Sequence, residues 1–101
     1  METIIESINL IATNPQIRGG RPCIAGTTLE VAVIAIAKIS GGLEPEEIAA
    51  DYNLSLPQVY AALSYYYDHK PAIDATIQER RQLAQTMKEA RVGSRYTALS
   101  G

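Results

Sequence analysis

The stretch from Glu44 to His69 constrains the fold most, because its pattern indicates two short helices joined by a tight turn. The first helix is predicted to begin at Glu44, where a proline and several carboxylates suit the positive end of a helix. It is predicted to end near Asn53, a residue type that tolerates left-handed backbone. Ser55 and Gln58 have the spacing of a capping box, which predicts a second helix running to about His69. Together these segments predict a helix-turn-helix.

The second helix is predicted to have a buried stripe and an exposed outer face. The stripe follows helical spacing and consists of Val59, Ala62, Leu63, Tyr66 and Tyr67. In a helix-turn-helix that binds DNA, the outer face of this helix enters the major groove, where base edges offer hydrogen bonds and thymine offers a methyl group. The candidate DNA-contacting residues on this face are Gln58, Tyr60, Ala61, Ser64 and Tyr65.

Charge disfavours strong DNA binding by this part of the chain. Residues 1–70 carry four basic and eight acidic side chains, a balance of −4, and the whole chain has a formal net charge of −2. Lys and Arg contacts to phosphate usually dominate the affinity for DNA. Two interpretations therefore stay open for the helices, a weak DNA-binding unit and a structural three-helix module.

A small β-hairpin is predicted between residues 17 and 27, where two short strand-like pieces flank a Gly-Gly turn. A phosphate-binding loop is the less favoured alternative, because the glycines lack the lysine and the spacing that such loops use. Arg18 and Arg21 flank the turn, and a hairpin tip with two arginines resembles a wing that follows a DNA backbone. Both arginines are therefore candidate DNA-contacting residues, with a solubilising role as the alternative.

A third helix is predicted over residues 29–39, the least polar segment of the chain. Its β-branched residues favour a strand, but its length and the following Ser40-Gly41-Gly42 favour a helix that begins after a Thr28 cap. The segment is apolar on nearly all sides, so we expect it to be covered on more than one side. A homodimer interface is the expected source of that cover.

An extended C-terminal helix is predicted from about Asp74 to Arg91, after Pro71 interrupts the helical pattern. It carries a thin apolar seam of coiled-coil spacing, and such a helix needs a partner for its apolar stripe. The candidate partner-binding residues are Ile77, Arg80, Arg81, Ala84, Met87 and Arg91. A helix that packs within the chain or forms the homodimer is the alternative.

Length and composition bound the remaining options. The 101 residues, 47% of them hydrophobic, suit one compact domain at 1–70, followed by an arm at 71–92 and a flexible tail at 93–101. The single Cys23 and the single His69 provide no metal cluster, disulfide or catalytic pair, so we expect no cofactor, no metal and no enzymatic activity. No apolar run approaches the roughly 20 residues of a membrane span, and the sequence predicts a cytoplasmic protein.

An ordered series of short motifs resembles the bacterial and archaeal domain-of-unknown-function family four-three-three over roughly residues 4–70. The motifs are Asn14-Pro15-Gln16-Ile17-Arg18-Gly19-Gly20-Arg21-Pro22-Cys23-Ile24-Ala25-Gly26-Thr27, then Pro45-Glu46-Glu47-Ile48, Tyr52 and Ala61-Ala62-Leu63-Ser64-Tyr65. The resemblance implies a homeodomain-like or winged helix-turn-helix fold. Some members are regarded as VapB-type antitoxins, which implies a PIN-like ribonuclease toxin as protein partner and operator DNA as ligand.

The chain departs from the family pattern just after the predicted hairpin. The family typically reads Gly-Thr-Arg-Ile-Pro-Val, whereas this chain reads Gly26-Thr27-Thr28-Leu29-Glu30-Val31, with Ala25 where arginine is common. Two basic positions are lost and Glu30 adds an acid. We therefore expect weaker contact with phosphate than in the relatives.

The sequence thus predicts a mainly α fold, in which a three-helix, homeodomain-like or winged helix-turn-helix domain has a short N-terminal β-hairpin and an extended C-terminal helix. The predicted function is that of an antitoxin-like regulator, with weak operator DNA binding by the helix-turn-helix and toxin binding by the C-terminal helix. The alternative is a non-catalytic homodimeric adaptor or oligomerisation module that does not bind DNA.

Overall fold

The computed structural model describes the backbone of residues 2–100 and the side chains of residues 2–90. Within these residues the fold is mainly α, with an N-terminal two-stranded antiparallel hairpin, as the sequence predicts. The elements in chain order are β1 (Ile11–Ala12), β2 (Cys23–Ile24), α1 (Val31–Ile39), α2 (Pro45–Tyr52), α3 (Leu56–Asp68) and α4 (Lys70–Ser100). The chain divides into two compact units, Met1–His69 and Lys70–Gly101.

The hairpin uses different strands from those predicted. Ile11 of β1 lies opposite Ile24 of β2, and Ala12 lies opposite Cys23. The pieces on either side of the Gly-Gly turn do not pair with each other, so the loop between the two strands covers residues 13–22. The sequence prediction of a tight hairpin across the glycines was wrong, because the partner of β2 lies further back in the chain.

The Gly-Gly segment itself forms a compact left-handed turn. Arg18, Gly19 and Gly20 have φ values of 50°, 63° and 83° in succession. The amide of Gly20 donates to the carbonyl of Ile17 at 3.0 Å, and that of Arg21 to the carbonyl of Arg18 at 3.2 Å. Glycine adopts positive φ at little cost, whereas arginine does not. Strain at Arg18 is thus one cost of this loop.

Helix α1 begins at Val31, two residues later than predicted, and Thr28 does not cap it. The backbone before the helix is held extended by pairing with the segment around β2. The amide of Ile24 donates to the carbonyl of Leu29 at 2.9 Å, and the amide of Val31 donates to the carbonyl of Pro22 at 2.9 Å. These hydrogen bonds engage the backbone groups of Leu29 and Val31 with residues outside the helix. Contacts with the segment around β2 therefore determine where α1 begins.

Most apolar residues of α1 are covered inside the same unit, and Ile39 at its end is exposed. The helix packs against α3 and α2. Its buried residues are Val31, Ala32, Ile34, Ala35 and Ala37. The cover on more than one side that the sequence predicts comes from the chain itself, and a homodimer interface is not required for it.

The turn between α2 and α3 has the predicted chemistry. Asn53 ends α2 with φ 56° and ψ 50°, the left-handed conformation expected of it. Ser55 caps α3 by accepting the amide of Gln58 at 3.3 Å, and the side-chain oxygen of Gln58 accepts the amide of Ser55 at 2.8 Å. Both predicted helix boundaries are confirmed here because the signals that set them are local.

Helix α3 buries most of its predicted stripe. The buried residues are Val59, Ala62, Leu63 and Tyr66. Tyr67 is exposed, so its place in the stripe was predicted wrongly. Successive residues are about 100° apart around a helix, so Tyr67 lies at the side of the buried face that contains Tyr66. Its ring rests at 5.1 Å from the ring of Tyr66.

Helix α4 begins at Lys70 and contains Pro71 in its first turn. The predicted interruption of the helical pattern is present, but it lies at His69, where α3 ends, and not at Pro71. Pro71 lies inside α4, because a proline in the first turn removes an amide that has no partner within the helix. Helix α4 therefore begins earlier than the predicted start near Asp74. The Lys70 ammonium and the Asp74 carboxylate pair at 2.7 Å across one turn. The flexible tail predicted at 93–101 lies outside the residues whose side chains are described. None of the described helices has the length and hydrophobicity needed to cross a bilayer.

Candidate interaction surfaces

An open groove of about 720 Å³ lies between the outer face of α3 and the stretch that leads into β1. Its lining residues are Ile8, Ile11, Pro57, Tyr60, Ala61, Ser64, Tyr65 and Asp68. The structure thus gathers four of the five predicted α3 contact residues along one groove. Sequence reasoning missed Ile8 and Ile11, although an isoleucine-rich stretch outside any predicted helix was a signal for an added apolar wall.

The fifth predicted residue, Gln58, has a structural role. Its side-chain oxygen accepts the amide of Ser55 at 2.8 Å and so closes the cap of α3. Bidentate recognition of adenine by a glutamine needs both the amide oxygen and the amide nitrogen. Because the oxygen is directed at the Ser55 amide, the Gln58 side chain would have to give up this cap to offer both groups to one adenine.

The groove is aromatic, apolar and acidic. Asp68 is the charged residue in its lining, and no Lys or Arg of the described part of the chain contributes to it. The Tyr65 ring stacks on His69 with centroids 3.9 Å apart, and the His69 Nδ1 lies 3.1 Å from the Tyr65 carbonyl oxygen. This stacking fixes one wall of the groove and leaves a surface that suits an apolar segment better than a phosphate backbone.

Arg18 and Arg21 do not line the groove, and both bind the segment between β2 and α1. The Nε of Arg18 donates to the carbonyl of Thr28 at 3.0 Å, and the Nε of Arg21 donates to the Glu30 carboxylate at 2.8 Å.

Glu30 is only 7% exposed. A buried carboxylate is costly unless it is paired, so Arg21 compensates the charge of Glu30. Sequence reasoning noted the acid at position 30 but not its partner. The role of both arginines in DNA contact stays a prediction.

A second, smaller cavity of about 190 Å³ lies beneath the loop before α1. Cys23 is buried in its wall, and the thiol Sγ lies 3.4 Å from the Arg21 carbonyl oxygen. Burial raises the pKa of the Cys23 thiol, as does the Glu30 carboxylate, while Arg18 and Arg21 act in the opposite direction. A neutral, buried thiol is a poor nucleophile and a poor metal ligand. No group of three or more metal-ligating side chains lies together within the described residues.

The predicted partner-binding residues on α4 differ in accessibility. Ile77 is buried, Arg80 is half-buried, and Arg81, Ala84 and Met87 are exposed. The side chain of Arg91 lies outside the described residues. Leu83 and Met87, one helical turn apart, are 60% and 61% exposed. These two side chains form the exposed apolar pair of α4.

The comparisons with known proteins agree with the motif series. The model of a family described as "Protein of unknown function (DUF433)" matches residues 11–66, more than half of the chain. The chain is also similar to "Uncharacterized protein Rv2308" of Mycobacterium tuberculosis, with 40% identity over 55 residues. That match covers 54% of this chain and 23% of the relative, so the chain spans about a quarter of the relative's length. No solved structure matches the chain.

Proposed function

This chain belongs to the family described as protein of unknown function (DUF433), and from that premise we propose that it is a regulatory protein of the antitoxin type. It acts by binding other macromolecules and has no catalytic role. Helix α4 holds a protein partner, and a PIN-like ribonuclease toxin is the partner class that the family resemblance implies. The observation that carries the proposal is the exposed apolar pair Leu83 and Met87 on α4.

The chemistry of α4 supports a protein partner. Leu83 and Met87 lie on the same side of the helix, because residues four apart are neighbours on a helical surface. The opposite side is polar, where the Gln85 amide donates to the Glu89 carboxylate at 3.0 Å. An exposed leucine and methionine flanked by charge are typical of the apolar centre and polar rim of an interface.

The test is co-purification from the native host with the full chain and two single variants. Leu83→Asp places a charge in the apolar pair and leaves the buried Ile77 unchanged. Gln82→Asp introduces the same charge at the next exposed residue, about 100° around the helix. We expect a small PIN-like nuclease to co-purify with the wild type and with Gln82→Asp, and to be lost with Leu83→Asp.

Two other results would contradict the proposal. A nuclease that is retained by Leu83→Asp would place the contact elsewhere on the chain. Recovery of the chain alone from the native host would instead favour the adaptor or oligomerisation module, in which contacts between identical copies replace the toxin.

Weak operator DNA binding is the second candidate function. It is favoured by the order of α2, a three-residue turn at Asn53–Ser55, and α3 with an outward face that carries Tyr60 and Ser64. That order supports a homeodomain-like or winged helix-turn-helix, with the β1–β2 hairpin in the place of the wing. The acidic groove and the engaged arginines keep the expected affinity low.

The DNA test is fluorescence anisotropy with a duplex from upstream of the chain's own gene. We expect measurable binding at low salt that is largely lost at about 0.2 M salt, because few phosphates are neutralised. The double variant Tyr60→Ala and Ser64→Ala should weaken binding, whereas Gln82→Ala should not. Tight binding at about 0.2 M salt would contradict the charge argument. A double variant with unchanged affinity would remove α3 from the DNA role.

A further inference from the structure

The chain before β1 exposes a group of large apolar side chains. Ile4, Ile5 and Ile8 are 79%, 88% and 78% exposed. Residues 2–9 have no regular secondary structure, and their backbone makes no hydrogen bond with another described residue. An isoleucine-rich segment with this much exposed apolar surface is prone to associate with another chain. We refer to residues 4–8 as the N-terminal segment.

The groove beside α3 has the shape and chemistry that such a segment needs. The rings of Tyr60 and Tyr65 and the methyl group of Ala61 form its α3 wall. Its volume of about 720 Å³ falls within the range of sites that enclose small ligands or short peptide segments. The chain's own N-terminal segment does not fill it, because Ile8 contributes to one wall while Ile4 and Ile5 are not among the lining residues.

We propose that the N-terminal segment of one copy lies in the groove of a second copy, and that the second copy's segment occupies the first groove in return. Each chain carries both the segment and its receptor, and the two adjoin at Ile8. A two-fold arrangement therefore makes the same contact twice, which is the usual geometry of a homodimer.

The area available suits a weak dimer. Ile8 already lines the groove of its own copy, so Ile4 and Ile5 are the side chains that enter the groove of the second copy. Each offers roughly 100 Å² of apolar surface, so the four from two copies bury roughly 400 Å². The groove walls lose a similar area, which gives a total of about 800 Å², the size of a weak, transient interface. Contacts of this size suit a dimer that forms at roughly 10–100 μM.

The response to salt distinguishes this dimer contact from DNA binding. Glu6 lies within the segment and Asp68 lines the groove, so both partners in the dimer are acidic. Added salt screens like charges, and self-association should therefore hold or strengthen as salt increases. Protein–DNA contacts weaken with salt. A dimer built this way also covers Tyr60 and Ser64, so a second copy and DNA compete for one face.

The first test is sedimentation velocity of the full chain over a concentration series, with two variants. Ile4→Glu combined with Ile5→Glu changes only highly exposed side chains, so folding should be preserved. Ile39→Glu is the matched control, since Ile39 is exposed on α1 and does not line the groove. We expect the wild type and the control to dimerise, and the double variant to dimerise at least roughly tenfold more weakly.

The second test identifies what occupies the groove. The variants Ile5→Cys and Ser64→Cys are purified separately, mixed and oxidised, so that a disulfide between them joins two different copies. The native Cys23 is buried and gives the background, which is measured with the wild type. We expect a cross-linked heterodimer only in the mixture.

Three outcomes would overturn the inference. They are a wild-type chain that remains monomeric at about 100 μM, a dimer whose affinity is unchanged by the Ile4 and Ile5 substitutions, and a mixture without cross-linking above the background. A dimer abolished instead by Leu83→Asp would place self-association on α4. Loss of DNA binding in the groove variants, with self-association unchanged, would assign the groove to DNA.

Discussion

The helical core and the loop region around β2, residues 13–30, are stabilised in different ways. The centre of α1, α2 and α3 consists of fully buried aliphatic side chains such as Ile34, Ile48 and Val59. The loop depends on directional contacts, among them the Arg21–Glu30 ion pair and the Arg18 hydrogen bond to Thr28. Apolar packing tolerates exchanges of similar volume, whereas a polar contact fails when one partner is lost. The two regions should therefore respond differently to substitution.

The largest expected effect is in the core. Ile48→Ala removes a side chain with no exposed surface and should lower the free energy of unfolding by about 2–5 kcal/mol. The measurement is urea unfolding followed by circular dichroism. Ile39→Ala is the control, because Ile39 is exposed and its truncation leaves no cavity. An equal loss of unfolding free energy in Ile48→Ala and Ile39→Ala would mean that Ile48 does not belong to a packed core.

The next effect is in the loop. Arg21→Ala removes the guanidinium that pairs with the buried Glu30 carboxylate at 2.8 Å and should lower the free energy of unfolding by about 1–2 kcal/mol, a value reduced by the partial exposure of Arg21. Adding Glu30→Gln should recover part of that loss, because a neutral amide is cheaper to bury than a charge. Thermal unfolding of the four proteins in the double-mutant cycle measures the coupling. If Arg21→Ala lowers the free energy of unfolding as much as Ile48→Ala does, the loop region does not differ from the core in this respect.

A smaller effect is expected where a polar contact supports the helical region. Ser55→Ala removes the side chain that accepts the Gln58 amide and should cost about 1 kcal/mol. Ser64→Ala is the matched control, because Ser64 lies exposed on the same helix away from its cap. A loss from Ser64→Ala equal to that from Ser55→Ala would exclude capping as the cause. The pair shows whether directional contacts matter outside the loop.

The smallest effect is a dependence of stability on pH through Cys23. Burial raises the pKa of this thiol above its ordinary value of 9.0, so the folded state holds the proton more tightly than the unfolded chain. The resulting stabilisation is complete below the ordinary value and is lost as pH rises through the raised value. We expect the difference in unfolding free energy between the wild type and Cys23→Ala to be constant near neutral pH and to shift against the wild type in alkali. A constant difference throughout would contradict the raised pKa.

Sequence reasoning succeeded where a structural signal is local. Ser55 and Gln58 set the start of α3, and Asn53 ends α2, through contacts among residues close in the chain. It failed where distant segments decide. The start of α1 depends on the carbonyl of Pro22, and the partner of β2 lies more than ten residues earlier. The residues in and next to α1 and β2 carry no sequence signal for these distant contacts.

The candidate surfaces follow the same division. Helical spacing predicted the outer face of α3 and brought Tyr60, Ala61, Ser64 and Tyr65 together. It could not predict that Ile8 and Ile11 would form the facing wall, because the β1–β2 pairing positions that part of the chain. It also could not assign Arg21, whose partner Glu30 is nine residues away and across a turn. Charge counted along the sequence does not reveal which charges neutralise one another.

The ion pair between Arg21 and Glu30 makes the electrostatics of the loop depend on one position. In the family pattern that this chain resembles, proline stands at the position of Glu30. A chain with a neutral residue there has the same arginine without its counterion, and the local charge of the loop becomes more positive by one unit. A neutral residue at position 30 thus leaves the arginine at position 21 available to an anionic ligand, whereas Glu30 holds it in an ion pair. The charge of this region can therefore differ between relatives while their backbone stays the same.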